Sequence, residues 1–172
     1  MGQDQTDRAP PHPHSTAHSR LRQRWRARLW HFAFLVTRPL TMGVRVVVIN
    51  EQEEIYLVRH GYVPGWHFPG GGVDPGESCL EAMARELAEE SPLRIAGPAS
   101  LHGIFFNRTA SRRDHIAVYI VRDFTFGPAR PADFEILEGR FFSRFALPEG
   151  VSGASLRRIA EIFDHREVSQ DW

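Results

Sequence analysis

The stretch GGVDPGESCLEAMARELAEESPL, residues 71–93, decides how the rest of this chain is read. From Glu77 to Glu90 it holds neither glycine nor proline, and Leu80, Met83 and Leu87 recur at spacings of three and four. That is the period at which side chains share one face of a helix, so the spacing predicts a helix over Glu77 to Glu90. Glu86, Glu89 and Glu90 stand at i, i+3 and i+4, which gathers three carboxylates on the side opposite that stripe. Like charges so spaced repel, and either water or a cation must offset them. All-oxygen donors favour Mg2+ or Mn2+. A glutamate face by itself is usually a solvated one, but here Gly70, Gly71 and Gly72 lie just upstream. Glycines let the backbone turn tightly and bring a carbonyl or amides against a ligand. Asp74, Pro75 and Gly76 read as a turn feeding the helix, and Asp74 and Glu77 suit its positive end.

Strand signals lie on both sides of this segment. Gly43 to Asn50 is β-branched and apolar, Glu51 to Glu54 reads as a turn, and Ile55 to Arg59 alternates again, which predicts a β-hairpin. Tyr62 to Trp66, with Pro64 and Gly65, reads as a loop leading to a short segment, Trp66 to Phe68. Further strands are expected over Ser100 to Phe106, His115 to Arg122 and Arg140 to Phe145, and an amphipathic helix around Ala154 to Phe163. The fold class is α+β, a mixed β-sheet sandwiched between helices.

Ahead of the domain, residues 1–19 carry Pro10, Pro11 and Pro13 among His12, His14 and His18. They are polar and aperiodic, and a disordered tail is expected; prolines hold no fixed ligand geometry for the histidines. Residues 20–38 read as a basic amphipathic helix, with Leu21, Trp25, Leu29, Phe32 and Val36 on one face and Arg20, Arg24 and Arg28 on another. Docking on its own domain, or on a second subunit in a homodimer, accounts for the stripe better than contact of residues 20–36 with an anionic membrane. Residues 39–172 form the domain proper and include the last helix.

Length and composition narrow the function classes. A chain of 172 residues, 42% hydrophobic and 24% charged, suits one core. Zero net charge hides an asymmetry: residues 1–38 hold 7 Arg against Asp4 and Asp7, and the remainder holds 14 Arg against 19 acidic residues, giving +5 and −5. An acidic domain is unsuited to a nucleic-acid backbone and suits a site that recruits divalent cations before a phosphate. The chain has no lysine, which excludes Schiff-base and P-loop lysine chemistry. Cys79 is the single cysteine, so there is no intramolecular disulfide and no cysteine-built metal site. The apolar run Leu29 to Val36 is far too short to span a bilayer and lacks a following cleavage site. A cytoplasmic location is expected.

Gly71, five residues, Glu77, seven residues, Arg85-Glu86-Leu87, one residue, Glu89-Glu90, one residue, Pro92 and Leu93 form a pattern that resembles the Nudix box. Every fixed position but one agrees across these 23 residues, and Trp66-His67-Phe68-Pro69-Gly70-Gly71 resembles the usual approach to the box. The departure is Pro92, where the family carries glycine. Proline cannot take positive φ, so the helix is expected to close at Glu90 or Ser91.

The resemblance implies a Nudix fold and metal-dependent hydrolysis of a phosphoanhydride bond. The substrate would be a nucleoside diphosphate linked to another moiety, or a nucleoside triphosphate. Glu86, Glu89 and Glu90, helped by the Gly71 carbonyl, would hold Mg2+ or Mn2+, and Glu77 and Arg85 would brace loop against helix, with Glu81 a further partner for Arg85. A carboxylate must take the proton of the attacking water, and Glu86, Glu90, Glu135 and Glu138 are the candidates.

Arg108, Arg112 and Arg113 are candidates for a phosphate clamp, weighed against simple solvation, as Glu138 is weighed against being a surface acid. Tyr62, Trp66 and Phe106 are candidates for stacking on a base, weighed against a place in the core. His67 and His115 read as hydrogen-bonded structural residues, and Cys79 as a small buried one. The rival function is a Nudix-like module that binds a nucleotide or ADP-ribose-like ligand without turnover; the intact glutamate triad argues for catalysis.

Overall fold

The computed structural model describes residues 39–128 and 135–172; the tail and the basic helix expected before residue 39 lie outside the described residues. In chain order the elements are β1 (Thr41–Val48), β2 (Glu54–His60), β3 (Trp66–His67), α1 (Cys79–Glu90), β4 (Leu93–Ile95), β5 (Ala99–Phe106), β6 (Asp114–Val121), β7 (Phe124–Phe126), β8 (Ile136–Ser143) and α2 (Gly153–Phe163). Among the described residues no helix is long and apolar enough to cross a membrane.

The apolar residues of β1 and β2 divide between two cores. Val44, Val46 and Val48 of β1, with Tyr56 and Val58 of β2, face Ala82, Met83 and Leu87 of α1. Val47 of β1 and the adjoining Ile49, with Ile55 and Leu57 of β2, face Phe105 and Ile159 of α2. Strands buried on both faces need a cover on each side. The α+β class therefore stands, with the β layer between two helices.

The layer is divided into sheets of order β1-β6-β5, β3-β2-β8 and β4-β7. The first is mixed, since β6 is parallel to β1 and antiparallel to β5. The expected hairpin of β1 and β2 is reduced to an antiparallel Ile49–Ile55 bridge and an Asn50 N–H to Glu54 O hydrogen bond at 3.1 Å, and β2 pairs along its length with β8 instead. Glu53, at φ 57°, turns the corner between them, and each strand then finds a partner in a different sheet. The last strand lies earlier than expected, over Ile136–Ser143, and Phe145 beyond it is 83% exposed. The short strands β4 and β7 carry too few residues for a period to be read.

The helix begins at Cys79 rather than Glu77 because Ser78 caps it. The Ser78 hydroxyl accepts the Glu81 N–H at 3.2 Å and the Glu81 carboxylate accepts the Ser78 N–H at 2.8 Å, a reciprocal capping box. Its buried face is also corrected. Leu80 is 53% exposed, whereas Glu90 continues the Met83, Leu87 stripe into the interior.

At the other end Ser91 is extended, with φ −147° and ψ 164°. Its hydroxyl donates to the Leu87 carbonyl at 2.6 Å and accepts the Leu93 N–H at 3.0 Å. The exit thus needs no left-handed residue, which is how Pro92 fits. Pro92→Gly is expected to leave activity unchanged and to lower stability by about 0.4–1 kcal/mol through the freer unfolded chain. A denaturant titration checks it, and a gain in stability would show that proline is strained here.

Candidate active site

The glycine loop is fastened along β1. Val46 N–H donates to Pro69 O and Val44 N–H to Gly71 O, each at 2.9 Å, and Gly43 bridges to Gly72. Gly70 sits at φ 139°, and a Cβ there would run into the Val44 carbonyl. Its N–H donates to the Glu90 carboxylate at 2.8 Å. A Cβ on Gly71 would run into the Glu86 carboxylate. Loop and helix therefore share one site, with a glutamate of α1 against each of two successive glycines.

The two glycines differ in what they would displace. Gly71→Ala is expected to keep the fold within about 1 kcal/mol, since only the end of a flexible side chain must move, but to weaken Mn2+ binding at least tenfold. Gly70→Ala meets backbone at a strained φ and should cost roughly 1–3 kcal/mol. Melting curves with a Mn2+ titration separate the two effects; unchanged Mn2+ affinity in Gly71→Ala would remove that glycine from the site.

Arg85 is the hub of the exposed half. Its Nε and Nη2 donate to the two Glu77 oxygens at 2.9 and 3.0 Å, and Nη2 also to the Gly72 carbonyl at 3.0 Å. Its Nη1 reaches Glu86 at 2.8 Å and Glu89 at 3.3 Å. The hydrogen bonds from Glu77 and then Glu86 raise the Arg85 pKa, so it stays charged. Arg85 and the Asp74 N–H in turn hold Glu77 below the usual carboxylate range.

The inner half is different in character. Burial pushes Glu90 up to about 7, against the lowering effect of the Gly70 N–H and Arg45, with Glu86 and Glu135 adding to the rise. Burial also raises Glu86, although Arg85 opposes it. His60 Nε2 lies 3.7 Å from Glu90.

Among the described residues no three acidic, histidine or cysteine side chains converge as a ready-made cluster: Arg85 draws Glu86 and Glu89 one way and Gly70 holds Glu90 another. The donors nonetheless fit a hard divalent cation. They are carboxylate oxygens, two of them raised by burial beside like charge, and the Gly71 cradle leaves room for the Glu86 carboxylate that a side chain would take.

Above the glycines opens a cavity of about 750 Å³, a size that accommodates a nucleotide-scale ligand. Arg45, His60, Tyr62, Asn107, Arg157 and Trp172 are among its lining residues. Of the aromatics proposed for stacking, Tyr62 lines it, Trp66 is buried in the core, and Phe106 packs on His115 at 5.3 Å. His67 is hydrogen-bonded to Pro64 O at 3.0 Å, whereas His115 Nδ1 has no partner among the described residues. Cys79 is half-buried against the core.

Arg112 and Arg113 are exposed on the β5–β6 loop and do not line the cavity, and Arg108 is taken by Asp171 at 2.8 Å. Glu138 pairs with Arg59 at 3.2 Å and Arg140 at 3.4 Å outside the cavity wall. Glu135 is near enough to Glu90 and Tyr62 for its charge to raise both.

Sequence reading had passed over Arg45, His60, Asn107, Arg157 and Trp172. Arg45 carried a signal, a lone cation inside an otherwise buried apolar strand; the others reach the cavity through tertiary structure.

Residues 39–160 match the NUDIX domain, and the chain belongs to that family. The mouse (Mus musculus) protein named 8-oxo-dGDP phosphatase NUDT18 is 27% identical over 122 residues, covering 69% of this chain and 37% of that protein. A Francisella tularensis subsp. mediasiatica (strain FSC147) protein named RNA pyrophosphohydrolase is 45% identical over 52 residues, 30% of this chain and 34% of that one. The chain thus spans little more than a third of the length of these curated relatives. The crystal structure of a MutT NUDIX hydrolase from Burkholderia pseudomallei shares the fold, with a TM-score of 0.61 and 21% identity over 71% of this chain and 97% of that one.

Proposed function

We propose that this domain hydrolyses a pyrophosphate bond in a nucleotide-like substrate, either a nucleoside diphosphate linked to another group or a nucleoside triphosphate, in a reaction that requires a divalent cation. The observation that carries the reading is the pair of carboxylates, half-buried Glu86 and buried Glu90, against glycines that line a nucleotide-sized cavity also lined by Arg45 and Arg157. The mouse relative's name, 8-oxo-dGDP phosphatase, agrees with a nucleoside phosphate as substrate, and that of the Francisella relative, RNA pyrophosphohydrolase, with pyrophosphate hydrolysis.

Glu86, Glu89, Glu90 and the Gly71 carbonyl are the oxygens that would hold Mg2+ or Mn2+, which when bound draws charge off the diphosphate and makes water more acidic. The Gly71 carbonyl already accepts one hydrogen bond from Val44 and keeps a second lone pair. Arg85 and Glu77 position Glu86 and Glu89 from the exposed side. Arg45, close enough to Glu86 and Glu90 to feel their charge, supplies donors to phosphate oxygens and offsets their charge. An attacking water forms a new bond to phosphorus, the bridging P–O bond breaks with its electron pair leaving on the departing phosphate, and the water's proton passes to a carboxylate. Glu90 is a candidate for that task by its placement, since the Gly70 N–H holds its carboxylate at the glycine loop at 2.8 Å.

The test is phosphate and pyrophosphate release from nucleoside triphosphates, ADP-ribose, dinucleoside polyphosphates, dinucleotides and coenzyme A, with Mg2+, Mn2+ or chelator. Cation-dependent release from one class is expected. No release from any of them, with nucleotide binding retained, would replace this reading with that of a binding module.

A further inference from the structure

The segment after α2 ends beside the cavity and is held more firmly than an irregular surface stretch requires. Phe106 N–H donates to Gln170 O at 2.9 Å and Trp172 N–H to Phe106 O at 3.0 Å, so residues 170–172 are tied to the end of β5 by a parallel bridge at Asp171. The Ser169 N–H donates to Glu161 at 3.1 Å, Arg158 Nη1 to Asp171 O at 3.2 Å, Arg108 to the Asp171 carboxylate at 2.8 Å and Arg157 to Trp172 O at 2.5 Å. Trp172 itself is half-buried. Its indole packs on the Phe105 ring, centroids 6.1 Å apart, and lies 5.7 Å from the Arg158 guanidinium, and Trp172 is among the residues that line the cavity.

Strand order fixes how far the segment that carries Trp172 lies from the glycine loop. Gly72 bridges to Gly43 of β1, Gly43 is level with Ile116 of β6, Ile116 with Phe105 of β5, and the next residue, Phe106, bridges to Asp171. Four strand spacings of about 4.8 Å put the glycine loop and the Trp172 segment roughly 19 Å apart across the sheet. Gly70, Gly71 and Trp172 nevertheless line one cavity, on the scale of an extended nucleotide with its phosphates at the glycine loop.

Resting on the proposed hydrolase site, we propose that Trp172 carries the nucleobase of the substrate and is a specificity-determining residue of this cavity. A rigid aromatic presents stacking area at little entropic cost, and the hydrogen bonds of residues 169–172 supply that rigidity. Stacking tolerates any base, since each has a π-face, so Trp172 selects base-bearing over base-free phosphates. Choice among bases falls to polar groups such as Asn107. The Asn107 side chain is itself fixed in the same wall, donating to Asp114 at 2.8 Å and accepting from Thr109 at 3.0 Å.

The experiment measures equilibrium binding of ADP, GDP and inorganic pyrophosphate, each with Mn2+, to wild type, Trp172→Ala and Trp172→Phe. Trp172→Ala should weaken both nucleotides by roughly 5- to 100-fold and leave pyrophosphate within twofold. Trp172→Phe, which keeps a ring against Phe105, should stay within about threefold on all three. Unchanged nucleotide affinity in Trp172→Ala overturns the proposal, and so does an equal loss for pyrophosphate, which marks a wall that is only structural. Trp172-dependent nucleotide binding without turnover on any substrate would sink the hydrolase reading alone, and a wild type that binds neither nucleotide sinks both.

Discussion

Glu90→Gln is expected to lower kcat by roughly two to four orders of magnitude while leaving the fold at least as stable as wild type in metal-free buffer at pH 8. Both halves follow from one placement. Glu90 is buried on the apolar face of α1, where its carboxylate accepts the Gly70 N–H and burial raises it to about 7. Glutamine keeps an acceptor for Gly70 but can neither take a proton nor contribute a charge to a cation.

The raised value favours the protonated folded form. Below the ordinary carboxylate value of 4.5 the folded and unfolded chains are both protonated at this position and nothing is lost. As pH rises toward 7 the unfolded chain gives up a proton that the folded chain keeps, and stability falls by up to about 3 kcal/mol before levelling off. Wild type should therefore lose stability from pH 5 to pH 8 relative to Glu90→Gln when chelator is present, and Mn2+ should raise the melting temperature of wild type alone. Full activity in Glu90→Gln, or a fold weakened by it at pH 8, would count against the placement.

How much of this was legible beforehand depends on how local each signal was. The helix, the glycine turn ahead of it and its close before Pro92 lie within 23 consecutive residues, where periodicity and backbone stereochemistry act directly. Even there two signs went unread. Ser78 and Glu81 spell a capping box that sets the start at Cys79, and Met83, Leu87 and Glu90 fall at i, i+4 and i+7, which carries Glu90 inward. Strand pairing is another matter. The apolar run of β1 marks a buried strand without naming its partner, and that partner, β6, begins 73 residues after it. Tight turn spacing therefore suggested a hairpin where the chain instead passes between sheets. Trp172 is the extreme case: it follows a non-periodic stretch and comes to the cavity only through β5, α2 and the parallel bridge at Asp171.

The largest loss of stability is expected from Arg158→Ala, on the order of 3–5 kcal/mol, or a fall in Tm of about 10 °C. Arg158 is fully buried on α2 with its guanidinium 3.8 Å over the Phe105 ring, and it donates to Glu161, one turn further along. Glu161 is also 2.9 Å from His102 Nε2 and accepts the Ser169 N–H. Burial pushes the Glu161 carboxyl up, but the donors Arg158, His102 and Ser169 outweigh it and hold its value below 4.5. A depressed value means that the stability it supplies is present above about pH 4.5 and drains away as pH falls through the folded value. The melting gap between wild type and Glu161→Gln should therefore narrow as pH falls below about 4.5. Removing Arg158 leaves the buried Glu161 with only His102 and the Ser169 N–H, and removing the Glu161 charge leaves the buried Arg158 without a counterion in contact, so the Arg158→Met/Glu161→Gln double variant should lose much less than the sum of the singles. Strict additivity, or a cost under about 1 kcal/mol for Arg158→Ala, would show that the pair does not hold α2 to the segment that carries Trp172.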